Sequence, residues 1–408
     1  MSDYLQLAVR AYAEPVANSR GSRTPRQPKH APRNAKRRWR RPRMLLVFDT
    51  ETAIDVGQAL LFGCVRVYRI TKAGAHLVEE SLFHADDLAE RDGPGYGRLA
   101  SYAEQHGLPL RSRREFVDDI LWPVGYVARA WIVGFNLPFD LSRLAIDWTP
   151  RKQAGSRGFS LALWDYFDEK QGEWRASRYR PRITVETIDS KRALIRFGRV
   201  VDPRQDFLIP EDDPTGEPSP KYTFPGNFLD LRTLAFALTG EGHSLDTACD
   251  AFHVEHKKTR AKRHGVITAE YIGYCRRDVL ATFELLENLL TEYERHPIAL
   301  RPTKARSPAS IAKAYLDAMG IVPFLQKHPE FPRELLGKAM AAYVGGRVET
   351  RLRRQVVPVV YVDFLSMYPT VNANMALWKF FTCERIEIGD ATVDARRLVD
   401  HIEFEDLF

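Results

Sequence analysis

The continuous apolar run MLLVF, at residues 44–48, constrains the fold of this 408-residue chain more than any other feature. It has no polar alternation, which is typical of a central strand covered on both faces. Two further segments of strand length, LLFGCVRVYRI (60–70) and HLVEESLFH (76–84), predict a three-stranded meander. Strand and helix patterns alternate after them. We therefore expect an α/β fold with a mixed sheet and helices.

The later elements are predicted from the same periodicities. Helical patterns occupy residues 112–121, 244–252 and 268–294, and strand patterns occupy 130–136, 159–167, 182–189 and 228–236. The segments 159–167 and 182–189 predict an inserted hairpin or small subsheet, followed by a polar, proline-rich loop at 202–220.

Basic residues are concentrated at the N-terminus. Residues 1–43 hold twelve Lys and Arg against Asp3 and Glu14, although the whole chain has a net charge of only +7. This segment is also proline-rich and poor in apolar residues, so we expect a disordered tail. It could be an arm that binds nucleic acid, a nuclear signal, or a solvated tail without a function.

A second break falls at residues 294–308, which are rich in Pro and Arg. Beyond it, Ser307 and Pro308 predict the start of a helix that ends before Gly320, and another helix is expected around 332–342. The predicted organisation is therefore a tail at 1–43, a first domain at 44–300 and a second unit at 301–408.

Membrane and secreted classes are disfavoured. The sequence has no apolar run of membrane-spanning length and no signal-peptide pattern. Its four cysteines are widely spaced, which argues against a disulfide framework or a zinc site built on a cysteine pair. We expect a cytoplasmic protein associated with the nucleoid, or a nuclear protein in a eukaryotic cell.

Three segments place acids next to buried elements. FDTET puts Asp49 and Glu51 two residues apart at the end of the first strand, so both carboxylates point to the same side. GFNLPFD puts Asp140 just after a second apolar strand, where Asp also acts as a helix cap. Asn136 and Phe139 precede Asp140 and could hold a base or sugar.

The third segment is the helix around YIGYCRRDVLATFELLENLL, where Asp278 lies in an apolar row one turn after Tyr274. A buried acid there needs a partner, which could be a metal ion, a backbone amide or an arginine. Together with Asp49, Glu51 and Asp140, this acid completes a set of hard oxygen ligands. Such a set favours Mg²⁺ or Mn²⁺ and could hold two ions around a phosphodiester.

The three segments resemble the motifs of the DEDD-type 3′–5′ exonucleases, which have a ribonuclease-H-like fold. More narrowly they resemble the proofreading domain of family B DNA polymerases: DTET is similar to Exo I, NLPFD to Exo II and YCRRD to Exo III. The resemblance implies that the four acids are catalytic metal ligands and that Tyr274 positions the attacking water. It also implies that Thr52, Asn136 and Phe139 contact single-stranded DNA. Gly273, where the histidine subtype has His, favours the tyrosine subtype.

The second unit adds two polymerase-like motifs. DFLSMYPTV resembles polymerase motif A, which implies a catalytic metal ligand at Asp363, a steric gate at Tyr368, and backbone contacts to the incoming triphosphate at Ser366 and Met367.

Upstream of it, AYVGGRVE resembles the Y-x-G-G segment, which implies DNA contacts at a motif that links the two activities. The matching residues are Tyr343, Gly345, Gly346 and Arg347. The glycines let backbone approach a phosphate chain, and arginine could contact that chain.

Motifs B and C of the family do not follow Tyr368 in this sequence. The chain is therefore similar to the N-terminal part of a family B DNA polymerase, and we do not expect it to polymerise alone. The early Exo I motif is reminiscent of compact polymerases from phages, plasmids and mobile elements. Expected partners are single-stranded and primer-template DNA, with deoxynucleoside triphosphate only if the rest of the palm is supplied. A non-catalytic module that binds nucleic acid and a stand-alone DEDD nuclease remain the alternatives.

Overall fold

The computed structural model describes residues 39–150, 158–177, 180–189, 192–198, 224–256, 264–342, 352, 354–358, 360 and 367–401. The chain divides into two compact units, Met1–Tyr315 and Leu316–Phe408. The prediction put this boundary after residue 300. Between these two positions, Ala305 and Ile311 are buried, and Nδ1 of His296 lies 2.7 Å from the hydroxyl of Tyr315.

A six-stranded mixed sheet is the centre of the first unit, with the strand order β12-β5-β1-β2-β3-β4. Its strands are β1 (Met44–Thr52), β2 (Leu60–Thr71), β3 (Gly74–His84), β4 (Leu110–Ser112), β5 (Trp131–Gly134) and β12 (Asn227–Asp230). The meander β1-β2-β3 is antiparallel, whereas β5 runs parallel to both β1 and β12. The predicted α/β class with a mixed sheet is confirmed.

Two smaller sheets form where the sequence predicts an insertion. The four-stranded sheet has the order β11-β10-β7-β6, and β8 pairs with β9. These strands are β6 (Asp147–Pro150), β7 (Gly158–Ala162), β8 (Asp165–Asp168), β9 (Glu173–Ala176), β10 (Ile183–Thr187) and β11 (Ala193–Phe197).

The first unit also holds the helices that begin before Leu316. They are α1 (Leu88–Arg91), α2 (Gly93–Gln105), α3 (Arg113–Glu115) continuing into a π-helix (Phe116–Val127), α4 (Leu137–Leu144), α5 (Leu231–Thr239), α6 (Leu245–Ala251), α7 (Ala269–Glu294), a 3₁₀ turn (Pro302–Lys304) and α8 (Pro308–Ala318). The predicted strand at 228–236 is wrong beyond Asp230. The Asp230 carboxylate accepts a hydrogen bond from the backbone N–H of Thr233 and caps α5, so the helix begins at Leu231.

The two faces of β1 pack against different helices. Phe48 contacts Phe116 of the π-helix, with ring centroids 5.8 Å apart. Asp49 and Glu51 point to the other face, where the predicted long helix, α7, covers β1 and β2. The central strand is thus covered on both sides, which explains why its sequence does not alternate.

The last residues of the predicted tail are ordered. Trp39 is buried and packs against Trp131 and Tyr293, with ring centroids 6.2 and 5.8 Å apart. Arg41 forms ion pairs of 2.7 Å with Glu287 and with Glu294 of α7. The prediction of disorder does not hold for these residues, because composition alone does not reveal long-range partners.

The second unit is helical in its described part, with α9 (Phe324–Lys327), α10 (Arg333–Ala342), α11 (Met367–Asn374), α12 (Lys379–Thr382) and α13 (Thr392–His401). The helices predicted after Ser307 and around 332–342 correspond to α8 and α10. No helix among the described residues combines the length and apolarity needed to cross a membrane.

Candidate metal centre

A cavity of about 580 Å³ opens at the end of β1 in the first unit. All four acids that the sequence singled out line it, together with Asn136, Phe139 and Tyr274. The remaining lining residues are Thr50, Phe135, Arg232, Gly242, His243, Ser244 and Leu245. The fold therefore brings together acids that lie more than two hundred residues apart in sequence.

Asp49 and Glu51 approach the cavity from β1, on the face covered by α7. One ligand atom each from Asp49, Glu51 and Cys275 lie within 4.8 Å of one another. Cys275 was not predicted as part of this cluster. Burial and the negative charges of Glu51 and Asp49 raise the pKa of its thiol well above the ordinary value, so the thiol stays protonated at neutral pH.

Tyr271 holds the second acid of this pair. Its hydroxyl donates a hydrogen bond to Oε2 of Glu51 at 2.5 Å, in a buried setting. Burial and the Glu51 charge raise the pKa of Tyr271. Sequence reasoning missed this residue, although its position three residues before Tyr274 puts both on one helix face.

Asp140 enters the cavity from the first turn of α4 and is almost fully buried. It does not cap the helix: its Oδ1 accepts a hydrogen bond from Oγ1 of Thr50 at 2.7 Å. Its other oxygen, Oδ2, is buried and has no hydrogen-bond partner among the described residues. Burial raises the pKa of Asp140 well above its ordinary value, against the lowering effect of hydrogen bonds from Thr50.

Tyr274 and Asp278 are one turn apart on α7, and both are buried. The Tyr274 side chain is hydrogen-bonded to Asp278. Burial and, secondly, the Asp278 charge raise the pKa of Tyr274. Its hydroxyl is therefore a protonated hydrogen-bond donor across the physiological pH range.

Asp230, at the end of β12, supports the turn before α4. Its Oδ1 accepts hydrogen bonds from the backbone N–H groups of Asn136 and Leu137, at 2.8 and 3.1 Å. Asn136 has a φ of 76°, a left-handed conformation that is uncommon outside glycine. These bonds hold Asn136 at the cavity wall. Sequence reasoning missed Asp230 because its strand and helix formed one apolar segment, although it shares with Asp140 the position of an acid after a buried strand.

Further polar residues of the wall were also missed. Arg232, the residue after the start of α5, reaches Oδ1 of Asn136 with Nη1 at 3.5 Å. Ser244 caps α6 through a hydrogen bond from the Thr247 N–H, a signal that the S-x-x-T spacing could have given. Together they add one cation and one hydroxyl to an otherwise acidic cavity.

Thr52, by contrast, is not among the residues that line the cavity. It is half-buried at the last position of β1, after a register shift that leaves it paired with Leu60.

The predicted residues of the second unit are only partly described. Met367 and Tyr368 begin α11, and the Tyr368 side chain is 74% exposed. Proline is compatible with the first turn of a helix, which explains why Pro369 does not prevent it. Tyr343, Gly345, Gly346, Arg347, Asp363 and Ser366 lie outside the described residues.

The cavity fits a divalent cation by the chemistry of its donors. Four carboxylates line it, and Oδ2 of Asp140 is a buried oxygen without a hydrogen-bond partner among the described residues. Buried carboxylate oxygens need hydrogen bonds or a cation, and hard oxygen ligands favour Mg²⁺ or Mn²⁺ over softer metals.

Comparison with known proteins gives one result. Residues 250–388 match the family model of type B DNA polymerases, organellar and viral. The match covers about a third of the chain and includes Tyr274 and Asp278 of the cavity as well as both predicted motifs of the second unit. The match supports a DNA polymerase function. A DNA polymerase is a nucleotidyltransferase, so the match also supports that class of enzyme. No curated protein matches the chain.

Proposed function

We propose that this chain is the exonuclease-bearing part of a type B DNA polymerase, and that its first unit removes nucleotides from the 3′ ends of single-stranded DNA. One observation carries the proposal: the acids of three separate sequence motifs, Asp49 and Glu51, Asp140, and Asp278, line a single cavity together with Tyr274. The family match independently supports a polymerase setting, in which such an activity would remove misincorporated nucleotides.

Asp49, Glu51, Asp140 and Asp278 would hold two Mg²⁺ or Mn²⁺ ions. When bound, such ions supply Lewis acidity, which lowers the pKa of a bound water and stabilises the charge on a leaving oxygen. The protein keeps the ligands in place through hydrogen bonds, from Thr50 to Asp140 and from Tyr271 to Glu51.

The other residues of the cavity would bind and orient the substrate. The Tyr274 hydroxyl donates its proton to Asp278, and its oxygen would accept a hydrogen bond from the attacking water and so orient it. Asn136 and Phe139 offer an amide and an aromatic face to the terminal nucleotide. Thr52 is proposed to contact DNA outside the cavity. Its partner would be the DNA strand before the terminal nucleotide and not the terminal nucleotide itself.

The fold is compatible with this activity. A mixed sheet that presents acids from its central strand, with α7 on one face, supports the assignment to the ribonuclease-H-like group. In the second unit, Asp363 is proposed as a metal ligand of a polymerase site, Tyr368 as its steric gate, and Ser366 and Met367 as contacts to a triphosphate. Tyr343, Gly345, Gly346 and Arg347 are proposed to contact primer-template DNA.

Labelling each end of an oligonucleotide separately tests the proposal. With Mg²⁺, a single strand labelled at its 5′ end should shorten progressively into a ladder, and a 3′-labelled strand should release labelled mononucleotide at once. Both reactions should stop in EDTA. Release of mononucleotide first from the 5′ label would contradict the polarity. DNA binding that persists in EDTA, without cleavage under any divalent ion, would instead identify a non-catalytic binding module.

A further inference from the structure

A second, smaller cavity of the first unit is lined by cations. It has a volume of about 200 Å³ and lies between β11, the start of β12 and the 3₁₀ turn Pro302–Lys304. Its basic lining residues are Arg196, Lys304 and Arg306. The two cavities share no lining residue.

The segment that presents two of these cations is fixed by hydrogen bonds. The Arg306 carbonyl accepts from Nη1 of Arg192 at 3.3 Å, and the Arg306 N–H donates to Oγ of Ser310 at 3.0 Å. Pro302 and Ala305, on either side of the exposed Lys304, are buried. Lys304 and Arg306 are therefore held at the cavity by their backbone, so little backbone entropy would be lost when a ligand orders them.

The cations of this cavity lie close to one another and are not paired with acids among the described residues. Partial burial and, in order, the positive charges of Arg306, Arg301 and Arg196 lower the pKa of Lys304. None of these four side chains forms an ion pair with an acid among the described residues.

Two acids also line this cavity. The Glu186 charge acts on Arg306. The Asp230 carboxylate is occupied by hydrogen bonds from Asn136, Leu137 and Thr233. With three cations and two acids among the lining residues, the local charge balance is positive. Like charges held close together are stabilised by an anion between them.

We propose that this cavity binds a phosphate group, either a phosphodiester of a DNA strand or a free phosphate. Arginine forks and a lysine ammonium are the groups that recognise phosphate oxygens in proteins. The volume supports a phosphate rather than a whole nucleotide, because pockets for larger ligands begin at about 300 Å³. The site is separate from the acidic cavity, and the proposal stands whether or not the exonuclease assignment does.

The salt dependence of DNA binding tests the site. A fluorescein-labelled oligothymidylate is titrated with the full chain in EDTA, so that no cleavage occurs, at several NaCl concentrations. Each phosphate neutralised on a single strand adds about −0.7 to the slope of log K against log salt. Lys304→Ala/Arg306→Ala should reduce the size of that slope by about 0.7 per lost phosphate contact.

The matched control is Arg69→Ala/Lys72→Ala, which removes two exposed cations at the far end of β2, where Arg69 pairs with Met44. It changes the net charge equally and should leave the slope close to that of the wild type. The charge-conserving variant Lys304→Arg should also keep it. If the double variant does not fold, Arg196→Ala gives the same test, because Arg196 lines the cavity from β11.

A second arm titrates sodium phosphate into the same proteins in a calorimeter. If the size of the slope decreases only in the cavity variant, the ligand is a phosphodiester of DNA. An unchanged slope, with saturable phosphate binding that the cavity variant loses, identifies free phosphate. Equal slope losses in the cavity variant and the control, or no effect in either arm, would overturn the proposal.

Discussion

Thr50 donates a hydrogen bond from Oγ1 to Oδ1 of Asp140 at 2.7 Å, and this bond joins the end of β1 to the first turn of α4. It satisfies one oxygen of a buried carboxylate and leaves Oδ2 without a hydrogen-bond partner among the described residues. A carboxylate held in this way is oriented, and its second oxygen is left for another ligand. This is the arrangement that a cation-binding acid requires.

Replacing Thr50 by Val should separate orientation from ligation. The shape of the side chain is kept and the hydrogen bond to a buried carboxylate is lost, so unfolding should require about 1.5–3 kcal/mol less. Nucleotide release should slow because Asp140 is no longer held. Urea unfolding and a nuclease assay measure the two effects. The control is Thr291→Val, whose hydroxyl bonds the Glu287 carbonyl outside the cavity. Equal nuclease rates in both variants would contradict a role for Thr50.

The two tyrosines of α7 should both matter for cleavage. Tyr274→Phe and Tyr271→Phe each remove a hydrogen bond to a carboxylate, worth about 1.5–3 kcal/mol. If that energy is used in the transition state, nucleotide release should slow roughly tenfold to a hundredfold.

Tyr293→Phe is the matched control for this test. Its buried hydroxyl donates to the Leu300 carbonyl at 3.1 Å, away from the acids. It should lower stability without slowing cleavage. Losses of rate that merely follow the losses of stability in all three variants would argue against a functional role for Tyr271 and Tyr274.

Asp230→Ala should destabilise the first unit strongly. The backbone N–H groups of Asn136, Leu137 and Thr233 would lose their acceptor, and a buried group without its partner costs about 1–3 kcal/mol. The strained Asn136 turn would also relax. Urea unfolding should therefore show a loss of at least about 2 kcal/mol. Asp246→Ala, an exposed acid in the first turn of α6, is the control and should have little effect.

Cysteine reactivity should report the packing of α7. Burial raises the pKa of the Cys64, Cys249 and Cys275 thiols, in the case of Cys249 to about 12. Only the thiolate reacts, so these three should resist iodoacetamide at mildly alkaline pH, whereas the half-buried Cys383 should be modified. Mass spectrometry should show all four modified after unfolding. Rapid labelling of Cys275 in the folded chain would mean that α7 does not cover β1 as described.

Periodicity predicted the elements whose burial is decided locally. The apolar run of β1 was found because the strand is buried along its length. The stripes of α7 were found because each helical turn returns to the same environment. The strand order β12-β5-β1-β2-β3-β4 was not predictable in this way, because it depends on pairings such as β3 with β4 that span a helical insertion. The long-range contacts of Trp39 and Arg41 were missed for the same reason.

The candidate site shows a similar division. Asp49, Glu51, Asp140 and Asp278 were predictable because an acid beside a buried run is a local anomaly. The partners that hold them were not. Thr50 and Tyr271 are ordinary strand and helix residues, and only the packing of β1 against α4 and α7 gives them a carboxylate to contact.

The rate of nucleotide release from a 3′ end tests the central claim most directly, measured for Asp49→Ala/Glu51→Ala against Asp394→Ala/Asp400→Ala. The control removes two exposed acids of α13, so both variants lose the same charge. Metal-assisted stabilisation of several kcal/mol, taken as about 4, predicts a loss of roughly a thousandfold in the first variant and an unchanged rate in the second. Degradation by Asp49→Ala/Glu51→Ala at the wild-type rate would contradict the assignment of the site.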